Sequence, residues 1–425
     1  MKKLLCSVLG CVAISAFCGD FFALPADKGK DLPADKVYPK GRIFPIMTYS
    51  ARNPEQFKKD GFTVIGPVYG KVDRDQAYSK ANMPIIFSIN AVQDGVKADK
   101  KFFRPKHHNT EKIKINNKKL AQSIREIVSK AIKKYPNIAY FYLTPEELRH
   151  WKKSEYDFIK IGTKAVHDAD PEKRPVWMYL PGHYGQDSIA KYADRLDVIG
   201  KGCYTNYAGR KNQRAWVRYS VDIMKNAAAQ GSEADMVLAV LEMFRPVDKA
   251  ELHRIPDWAR HDFYASLITG AKGLAIFTAV NRKGFTASYK LYYPAYSKAA
   301  KEVTGENGLG EIFLFGEHRQ DLKWQISAGD AETPITFRGN PKKNRPERII
   351  NYPSVGFANI AHARGRYLFM VNSAEKPVAG IVSGMPENTV VKDAVTGEKI
   401  AVAGKDGIKL EFKSMEVKLL KLERN

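Results

Sequence analysis

The sequence is poor in cysteine, with four among 425 residues. Three of them, Cys6, Cys11 and Cys18, lie near the N-terminus, which leaves Cys203 as the only cysteine deep in the chain. A lone thiol cannot form the disulfide framework that stabilises many small exported domains, so a hydrophobic core must hold this fold together. The composition, 44% hydrophobic and 27% charged, is that of a protein with such a core.

The chain also lacks a hydrophobic run long enough to span a membrane comfortably. The longest apolar stretch extends from Leu4 to about Phe17; it follows Lys2 and Lys3 and precedes a polar segment. A charged start, a short apolar middle and a polar end are the order of a secretory signal peptide. We therefore expect residues 1–19 to direct export and to be removed, which leaves no transmembrane segment in a secreted or periplasmic protein.

Two further expectations concern the N-terminal region. Residues 20–40 are polar and contain several prolines, which is typical of a tether. Cys18 leaves a lipid-anchored surface protein open as an alternative, although Phe17 stands where lipoprotein signals usually carry a small residue.

Acidic residues are outnumbered: 46 Asp and Glu stand against 69 Lys and Arg, a net charge of +23. A positive surface attracts polyanions such as nucleic acids, lipid headgroups or acidic glycans. The signal peptide places the protein outside the cytoplasm and no recognition module is present, which disfavours nucleic acid as a partner. An anionic polysaccharide and a merely basic surface both stay open.

Motifs for metal ions and phosphate groups are missing as well. The adjacent His107 and His108 lie in a lysine-rich stretch, and no Cys/His group has metal-ligand spacing. No glycine-rich phosphate loop follows any early strand-like run. The sequence therefore predicts neither a metal nor an organic cofactor.

What the chain does contain is a regular alternation of short apolar runs and amphipathic segments. The runs, which predict buried parallel strands, are residues 42–49, 62–66, 83–90, 139–143, 175–180, 196–204, 236–244 and 273–279. Asn53 and Pro54 mark one helix start, and further helices are predicted at 116–134, 156–168, 188–195, 216–230 and 257–270. Eight such units in residues 41–305 predict a closed (β/α)8 TIM barrel; an open doubly wound sheet is the alternative, weakened by the missing phosphate loop.

The pattern changes after about residue 305. Short alternating runs separated by turns follow, at 313–315, 323–326, 335–337, 367–371, 389–391 and 416–422. Alternation with a period of two is typical of strands with one buried face. Residues 306–425 are therefore predicted to form a smaller antiparallel β-sandwich.

The active site of a TIM barrel lies at the C-terminal ends of its strands. The residues there are rich in aromatic rings, carboxylates, amides and guanidinium groups, namely Tyr49, Arg52, Tyr69, Asn90, Glu146, Glu147, His183, Tyr184, Tyr204, Asn206, Tyr207, Glu242, Arg245, Asn281 and Arg282. Aromatic faces stack on sugar rings, while amides and cations bind hydroxyl and acidic groups. This set predicts a carbohydrate cleft.

Two strand ends carry the strongest candidates. Glu146 and Glu147 follow the fourth strand directly after Pro145, and Glu242 ends the seventh after five apolar residues. A charge in an apolar strand is costly unless it is paired or used, so Glu242 is the more telling of these residues.

Glutamates at the ends of strands four and seven, with a C-terminal β-sandwich and a signal peptide, resemble the retaining (β/α)8 glycoside hydrolases of clan A. The resemblance implies that Glu146 is the general acid/base and Glu242 the nucleophile, which in a retaining enzyme lie about 5–5.5 Å apart. The sequence departs from the clan at Pro145, where an asparagine usually stands. The choice between Glu146 and Glu147 as acid/base stays open.

The predicted function is therefore an exported retaining glycoside hydrolase that degrades a polysaccharide or oligosaccharide, with sulfate or uronate groups on the substrate as an open question. Candidate substrate-binding residues are Tyr49, Asn90, Glu147, Arg149, His183, Tyr204, Asn206, Arg245 and Trp258. Two alternatives are a non-catalytic glycan-binding barrel and a polysaccharide lyase. The lyase would use Tyr204 as base beside Lys201 or Arg245.

Overall fold

A computed structural model describes residues 20–51, 53–68, 78, 82–90, 117–231, 234, 236–339 and 346–425. The predicted signal peptide, Arg52, Tyr69 and the pair His107 and His108 lie outside the described residues, and so does the side chain of Asn90.

Eight parallel strands close into a barrel, each paired with its neighbours in chain order, and the first pairs with the eighth. They are β1 (Ile46–Thr48), β2 (Val64–Ile65), β3 (Ile85–Asn90), β4 (Ile138–Thr144), β5 (Val176–Leu180), β6 (Val198–Gly202), β7 (Met236–Glu242) and β8 (Gly273–Phe277). The predicted (β/α)8 barrel is confirmed, and the open sheet is excluded by the pairing of β1 with β8.

Helices lie between the strands of the described chain and after the last one. They are α1 (Pro54–Lys59), α2 (Asn117–Lys134), α3 (Lys153–Ala169), α4 (Gln186–Ala193), α5 (Ala215–Ala228), α6 (Ile255–Thr269), α7 (Thr286–Thr304) and α8 (Leu309–Phe315), with a 3₁₀ helix at Lys249–Arg254. Asn53 caps α1, as predicted, because its side chain accepts a hydrogen bond from the Gln56 N–H. Among the described residues, no helix is long and apolar enough to cross a membrane.

Alternation along the strands divides the barrel core into two layers. Leu238 and Val240 of β7 point into the barrel, while Val237 and Leu241 pack against the helices. Glu242, the last residue of β7, is in phase with the inward residues. This alternation is the reason why a glutamate at this position can belong to the mouth of the barrel.

Strand β6 has glycine at two positions that face the inside of the barrel. A Cβ atom on Gly200 would lie 2.5 Å from Nε1 of Trp177, and one on Gly202 would lie 2.4 Å from the Tyr179 hydroxyl. The large rings of β5 therefore need glycine at both positions of the neighbouring strand. In this way β6 makes room for the aromatic side chains of the barrel mouth.

The C-terminal domain is built from antiparallel strands. They are β9 (Glu317–His318), β10 (Lys323–Ala328), β11 (Glu332–Phe337), β12 (Arg348–Pro353), β13 (Val355–His362), β14 (Gly365–Asn372), β15 (Val378–Ser383), β16 (Val390–Asp393), β17 (Lys399–Val402), β18 (Ile408–Phe412) and β19 (Val417–Glu423). One sheet has the order β17-β16-β19-β14-β13-β9, a second has the order β10-β15-β18, and β11 and β12 form a separate hairpin. Side chains such as Leu368 of β14 and Val382 of β15 share one buried core, which makes the two sheets a sandwich.

The prediction of a strand at residues 313–315 was wrong, because these residues end helix α8. Leu309, Ile312 and Phe313 are buried at helical spacing, and the Phe313 ring lies 4.7 Å from that of Phe369 in the sandwich. A three-residue apolar run is too short for its period to separate helix from strand.

Residues 20–40, predicted to be a tether, pack against both domains. Val37 is buried at the N-terminal end of the barrel, where the Tyr38 carbonyl accepts a hydrogen bond from Tyr140. Phe21 and Phe22 pack against the sandwich core. The few apolar residues of this polar segment are enough to hold it on the surface.

Candidate active site

A continuous layer of aromatic rings lines the C-terminal end of the barrel. The Tyr179 ring stacks on that of Tyr204, with centroids 6.2 Å apart, and Tyr204 also meets Phe277 at 6.3 Å. Phe277 contacts the edge of Tyr49 at 5.0 Å, and Tyr49 meets Tyr142 at 6.5 Å. These five rings come from strands or strand ends on different sides of the barrel, so they form a floor across its mouth.

Glu146 lies at one side of this floor. Its carboxylate accepts a hydrogen bond from the Tyr142 hydroxyl, four residues earlier. The Tyr142 hydroxyl also accepts from the Tyr179 N–H at 3.3 Å and lies 3.5 Å from the Tyr49 hydroxyl. The position of Glu146 is therefore tied to strands β1, β4 and β5 at once.

Glu147 is exposed beside Glu146 and has an unusual backbone. Its φ of 58° lies in the left-handed region, which non-glycine residues rarely adopt, and its N–H donates to the Tyr179 carbonyl at 3.2 Å. Although the residue is exposed, partial loss of solvent around its carboxyl raises the pKa of Glu147, and the charge of Glu146 raises it further. A raised pKa favours the protonated form of Glu147, which keeps this residue a candidate for the acid/base role.

Glu242 lies at the end of β7, and its side chain is only 3% exposed. Both of its carboxylate oxygens accept from the Tyr207 N–H, at 3.1 and 3.0 Å. Burial raises the pKa of Glu242 to about 7, while the hydrogen bond from Tyr207 and the charge of Arg214 act in the opposite direction. A carboxyl of this kind changes its charge near neutral pH.

A buried polar cluster lies behind Glu242. The Arg214 guanidinium binds both oxygens of Asp262, with Nε 3.0 Å from Oδ1, and both residues are 1% exposed. Nδ1 of His261 lies 2.9 Å from the same carboxylate. The charges of Arg214 and Asp262 both act on Glu242, the first lowering and the second raising its pKa.

Two arginines cover the outer aromatic rings of the mouth. The Arg245 guanidinium lies 5.7 Å from the ring centroid of Tyr207, and that of Arg282 lies 5.5 Å from Phe244 and 5.3 Å from Phe277. Both arginines are exposed, and no carboxylate pairs with either of them in the described part of the chain. Unpaired guanidinium groups on aromatic faces are suited to bind sulfate or carboxylate groups of a ligand.

Three of the predicted substrate-binding residues make internal contacts instead. The Arg149 guanidinium is bound on two nitrogens by Glu155. Trp258 is 1% exposed in helix α6, and the Asn206 side chain is held inside the protein by its neighbours. The backbone of Asn90 ends β3 next to Thr144, while His183 is exposed after β5.

Of the residues proposed for a lyase, Tyr204 and Arg245 lie at the mouth and Lys201 does not. Lys201 is completely buried, with its Nζ 3.3 Å from the Tyr184 carbonyl and 4.8 Å from the ring centroid of Trp216. Burial also raises the pKa of Tyr204 well above its usual value, which opposes a role as base. Only Arg245 of that set lies at the surface of the mouth.

Sequence reasoning missed Tyr142, Tyr179, Phe244 and Phe277. A usable signal existed for the two tyrosines, because Tyr140, Tyr142 and Tyr179 occupy inward positions of β4 and β5. No sequence signal points to Arg214 and Asp262, which are 48 residues apart: Arg214 lies just before helix α5 and Asp262 lies within α6.

No group of three or more His, Cys, Asp or Glu side chains among the described residues is placed to hold a metal ion. Two surface clefts, of about 890 and 620 Å³, lie elsewhere, one beside helix α7 and one at the N-terminal end of the barrel. The chemistry-bearing residues are therefore those of the strand ends.

Fold and site together define a (β/α)8 barrel with a C-terminal β-sandwich and two acidic strand ends over an aromatic floor. No family model matches the sequence, and a search of curated proteins finds no match.

Several solved structures share this fold. The α-amylase of Geobacillus thermoleovorans in complex with acarbose has a TM-score of 0.54 and 11% identity, over 90% of this chain and 99% of that chain. An Anoxybacillus α-amylase has a TM-score of 0.52 and 11% identity, over 92% and 98%. A GH27 β-L-arabinopyranosidase of Geobacillus stearothermophilus has a TM-score of 0.50 and 10% identity, over 90% and 96%. At these identities the likeness supports the fold alone, over the part of the chain that each match covers.

Proposed function

We propose that this protein is an exported glycoside hydrolase that cleaves a polysaccharide or oligosaccharide by a retaining mechanism with two glutamates. The observation that carries the proposal is the presence of Glu146 and Glu242 at the ends of β4 and β7, at the same mouth of a closed barrel with an aromatic floor. The fold shared with amylases and an arabinopyranosidase supports a carbohydrate substrate.

In the proposed reaction, the Glu242 carboxylate attacks the anomeric carbon and the bond to the leaving oxygen breaks. Glu146, as the acid, transfers its proton to that oxygen, which leaves as an alcohol. Glu146 then removes a proton from water, and the resulting oxygen nucleophile displaces Glu242 from the anomeric carbon. Each step conserves charge and protons, and no cofactor takes part.

The ionisation of Glu242 supports a pH optimum above neutrality. Burial raises its pKa to about 7, so about half of the groups carry the proton at that pH. A nucleophile must be ionised, so the ionised fraction, and kcat/KM with it, rises as the pH increases through 7. The lower limb of the pH profile is therefore expected near pH 7.

We extend the proposal to a substrate that carries sulfate or carboxylate groups. Arg245 and Arg282 are exposed over the outer rings of the mouth, where a sugar that stacks on those rings would bring its acidic substituents. The net charge of +23 favours the approach of such a polymer.

A non-catalytic glycan-binding barrel is the second candidate, and one observation favours it. Glu242 is 3% exposed and both of its oxygens accept from the Tyr207 N–H, so little of the carboxylate surface faces the mouth of the barrel. A binding protein would not need an accessible carboxylate there.

The test is a screen of the purified protein against neutral, sulfated and uronate-bearing polysaccharides, with new reducing ends as the signal. We expect turnover on an anionic member, and a loss of about 10²–10⁴-fold in kcat for both Glu146→Gln and Glu242→Gln. Glu172→Gln is the matched control, because Glu172 pairs with Arg174 at the opposite end of the barrel.

The other outcomes separate the alternatives. Glycan binding without new reducing ends would establish the non-catalytic barrel, and a product that absorbs ultraviolet light through a new double bond would establish the lyase. Full turnover in Glu146→Gln with a loss in Glu147→Gln would transfer the acid/base role to Glu147.

A further inference from the structure

The loop after β6 determines where the Glu242 carboxylate lies. Both carboxylate oxygens accept from the Tyr207 N–H, at 3.1 and 3.0 Å, and the nearby backbone N–H of Asn206 also acts to lower the pKa of the carboxyl. A change in the path of the chain at these two residues would therefore remove the donors from Glu242. The residues that hold this loop in place therefore determine the hydrogen bonding of Glu242, the candidate nucleophile.

The Asn206 side chain is fixed at both ends. Its Nδ2 donates to the Tyr292 hydroxyl at 2.6 Å, and its Oδ1 accepts from Nη1 of Arg214 at 3.3 Å. Both partners are buried, Tyr292 on helix α7 and Arg214 just before helix α5. These two contacts orient the peptide between Asn206 and Tyr207, whose N–H faces Glu242.

Arg214 has little freedom to move. Asp262 binds it on two nitrogens, and its guanidinium lies 4.7 Å from the ring centroid of Trp258. A buried ion pair contributes little to stability compared with apolar side chains of the same volume. The ion pair has a different role here, because it orients Arg214. Nη1, the guanidinium nitrogen that does not bind Asp262, donates to Asn206.

The chain of contacts continues into the sandwich. Nδ1 of His261 lies 2.9 Å from Oδ1 of Asp262, and its Nε2 lies 2.9 Å from the hydroxyl of Ser373, at the end of β14. Burial lowers the pKa of His261, so the ring is neutral, donates to Asp262 and accepts from Ser373. The C-terminal domain thus contributes one end of a buried series of hydrogen bonds that ends at the barrel mouth.

We infer that Arg214 is a positioning residue for Glu242: held by Asp262 and, through His261, by the sandwich domain, it fixes Asn206 so that the Tyr207 N–H binds the Glu242 carboxylate. The inference rests on the proposed function for its catalytic meaning, since there Glu242 is the nucleophile. It assigns to Asn206 an internal role in place of a contact with the sugar.

The groups that face Glu242 determine the expected direction of a change. They are the two N–H groups of the loop, Arg214, Asp262, and the hydroxyls of Tyr292 and Tyr296 on helix α7. Loss of the loop donors or of the Arg214 charge removes what stabilises the anion and leaves the effect of burial. The pKa of Glu242 must then rise.

The experiment is a pH titration of the Glu242 carboxyl carbon by NMR in full-length protein labelled with [5-¹³C]glutamate, assigned with Glu242→Gln. In Asn206→Ala, which leaves the Arg214–Asp262 pair intact, we expect the pKa of Glu242 to rise by about one unit. Ser373→Ala is expected to give a smaller rise. Glu375→Gln is the control, since it breaks a different contact between the domains, with Arg254.

A rise of about one unit also predicts the kinetics. The ionised fraction at pH 7 would fall from about a half to about a tenth, so kcat/KM on the polysaccharide identified by the screen would fall about fivefold, with its lower limb moved to higher pH. A merely structural role would lower stability without moving that limb.

An unchanged titration of Glu242 in both Asn206→Ala and Arg214→Gln would overturn the inference. The titration needs no substrate, so it is independent of the proposed function. If Glu242→Gln retained full turnover, the nucleophile assignment would fail, and the titration would still show whether Arg214 positions this carboxyl.

Discussion

Lys201 is a buried charged residue whose placement lowers the stability of the fold. It is completely buried on β6, and burial lowers its pKa to about 8 from 10.5. Because the unfolded chain holds this proton up to pH 10.5, it binds more protons than the folded chain between about pH 8 and 10.5, and stability must rise with pH in that window. Below pH 8 the full cost is present, about 3 kcal/mol for a shift of this size.

Replacement of Lys201 by Met should therefore stabilise the protein at neutral pH. We expect Lys201→Met to raise the free energy of unfolding by about 1–3 kcal/mol at pH 7, and the gain to shrink by about 1–2 kcal/mol at pH 9.5. Urea unfolding at the two pH values measures both. Lys191→Met, at an exposed lysine of helix α4, should change stability by less than about 0.5 kcal/mol.

Equal gains for Lys201→Met at the two pH values would show that its charge is not the cause. A loss of stability at pH 7 would show that the contacts of Nζ with the Tyr184 carbonyl and the Trp216 ring outweigh the cost of burial.

At the scale of residues, the sequence predicted the kind of site better than the individual residues that form it. Glu242 stood out because a charge in an apolar strand is expensive, and the structure places it in a buried polar setting. Trp258 and Asn206 were assigned to the substrate from their position alone, yet both pack around Arg214. Such contacts join residues far apart in the chain, so no local sequence pattern predicts them.

At the scale of elements, the hairpin β11–β12 supports the barrel, although it lies far from the barrel strands in the sequence. It packs on helix α5 through Ile335 and Trp216, and the backbone and hydroxyl of Thr336 bind Arg210 and Gln213. Those two residues lie in the loop that carries Tyr207. The hairpin therefore braces the loop that holds Glu242.

Truncation of Ile335 tests this bracing. Ile335→Ala removes a fully buried side chain and should cost about 2–5 kcal/mol of stability. Because the loop loses its support, amide hydrogen exchange of residues 206–213 should accelerate and turnover should fall. Mass spectrometry of the exchanged protein reports the loop directly.

Ile349→Ala is the matched control, because Ile349 lies on the paired strand opposite Thr336 but is 58% exposed. It should change stability by less than about 0.5 kcal/mol and leave exchange of the loop unaltered. Faster exchange in Ile349→Ala, or unchanged exchange in Ile335→Ala, would mean that the hairpin does not brace the loop.

Most barrel elements were predictable because their periodicity is long and repeated. Each of the eight predicted strands overlaps an observed one, and the predicted start of α1 at Asn53 and Pro54 was confirmed. Other elements were missed: residues 313–315 end a helix, and helix α7 and the strands β9, β12, β13, β15, β17 and β18 were not predicted. Alternating exposed strands such as β12 give a weak signal since few of their residues are buried.

At the scale of the whole molecule, the sandwich is part of the machinery that supports the barrel mouth. Helix α8 inserts Phe313 against the sandwich sheet, Ser373 contacts the buried His261 of the barrel, and Thr336 binds the half-buried Gln213. The sequence predicted two successive domains but not the interface between them. The contacts at this interface join elements that are far apart in the chain, so they form only when both domains are folded. The fold was therefore foreseeable in its parts and not in its assembly.

The central claim is that Glu242 becomes covalently bound to the sugar during turnover. A 2-deoxy-2-fluoro glycosyl fluoride of the sugar identified by the screen should inactivate the protein, and mass spectrometry of the digested product should find the label on Glu242 within residues 236–245. Glu242→Gln should remain unlabelled. A label on Glu146 or Glu147, or full turnover with no labelled peptide, would contradict the account.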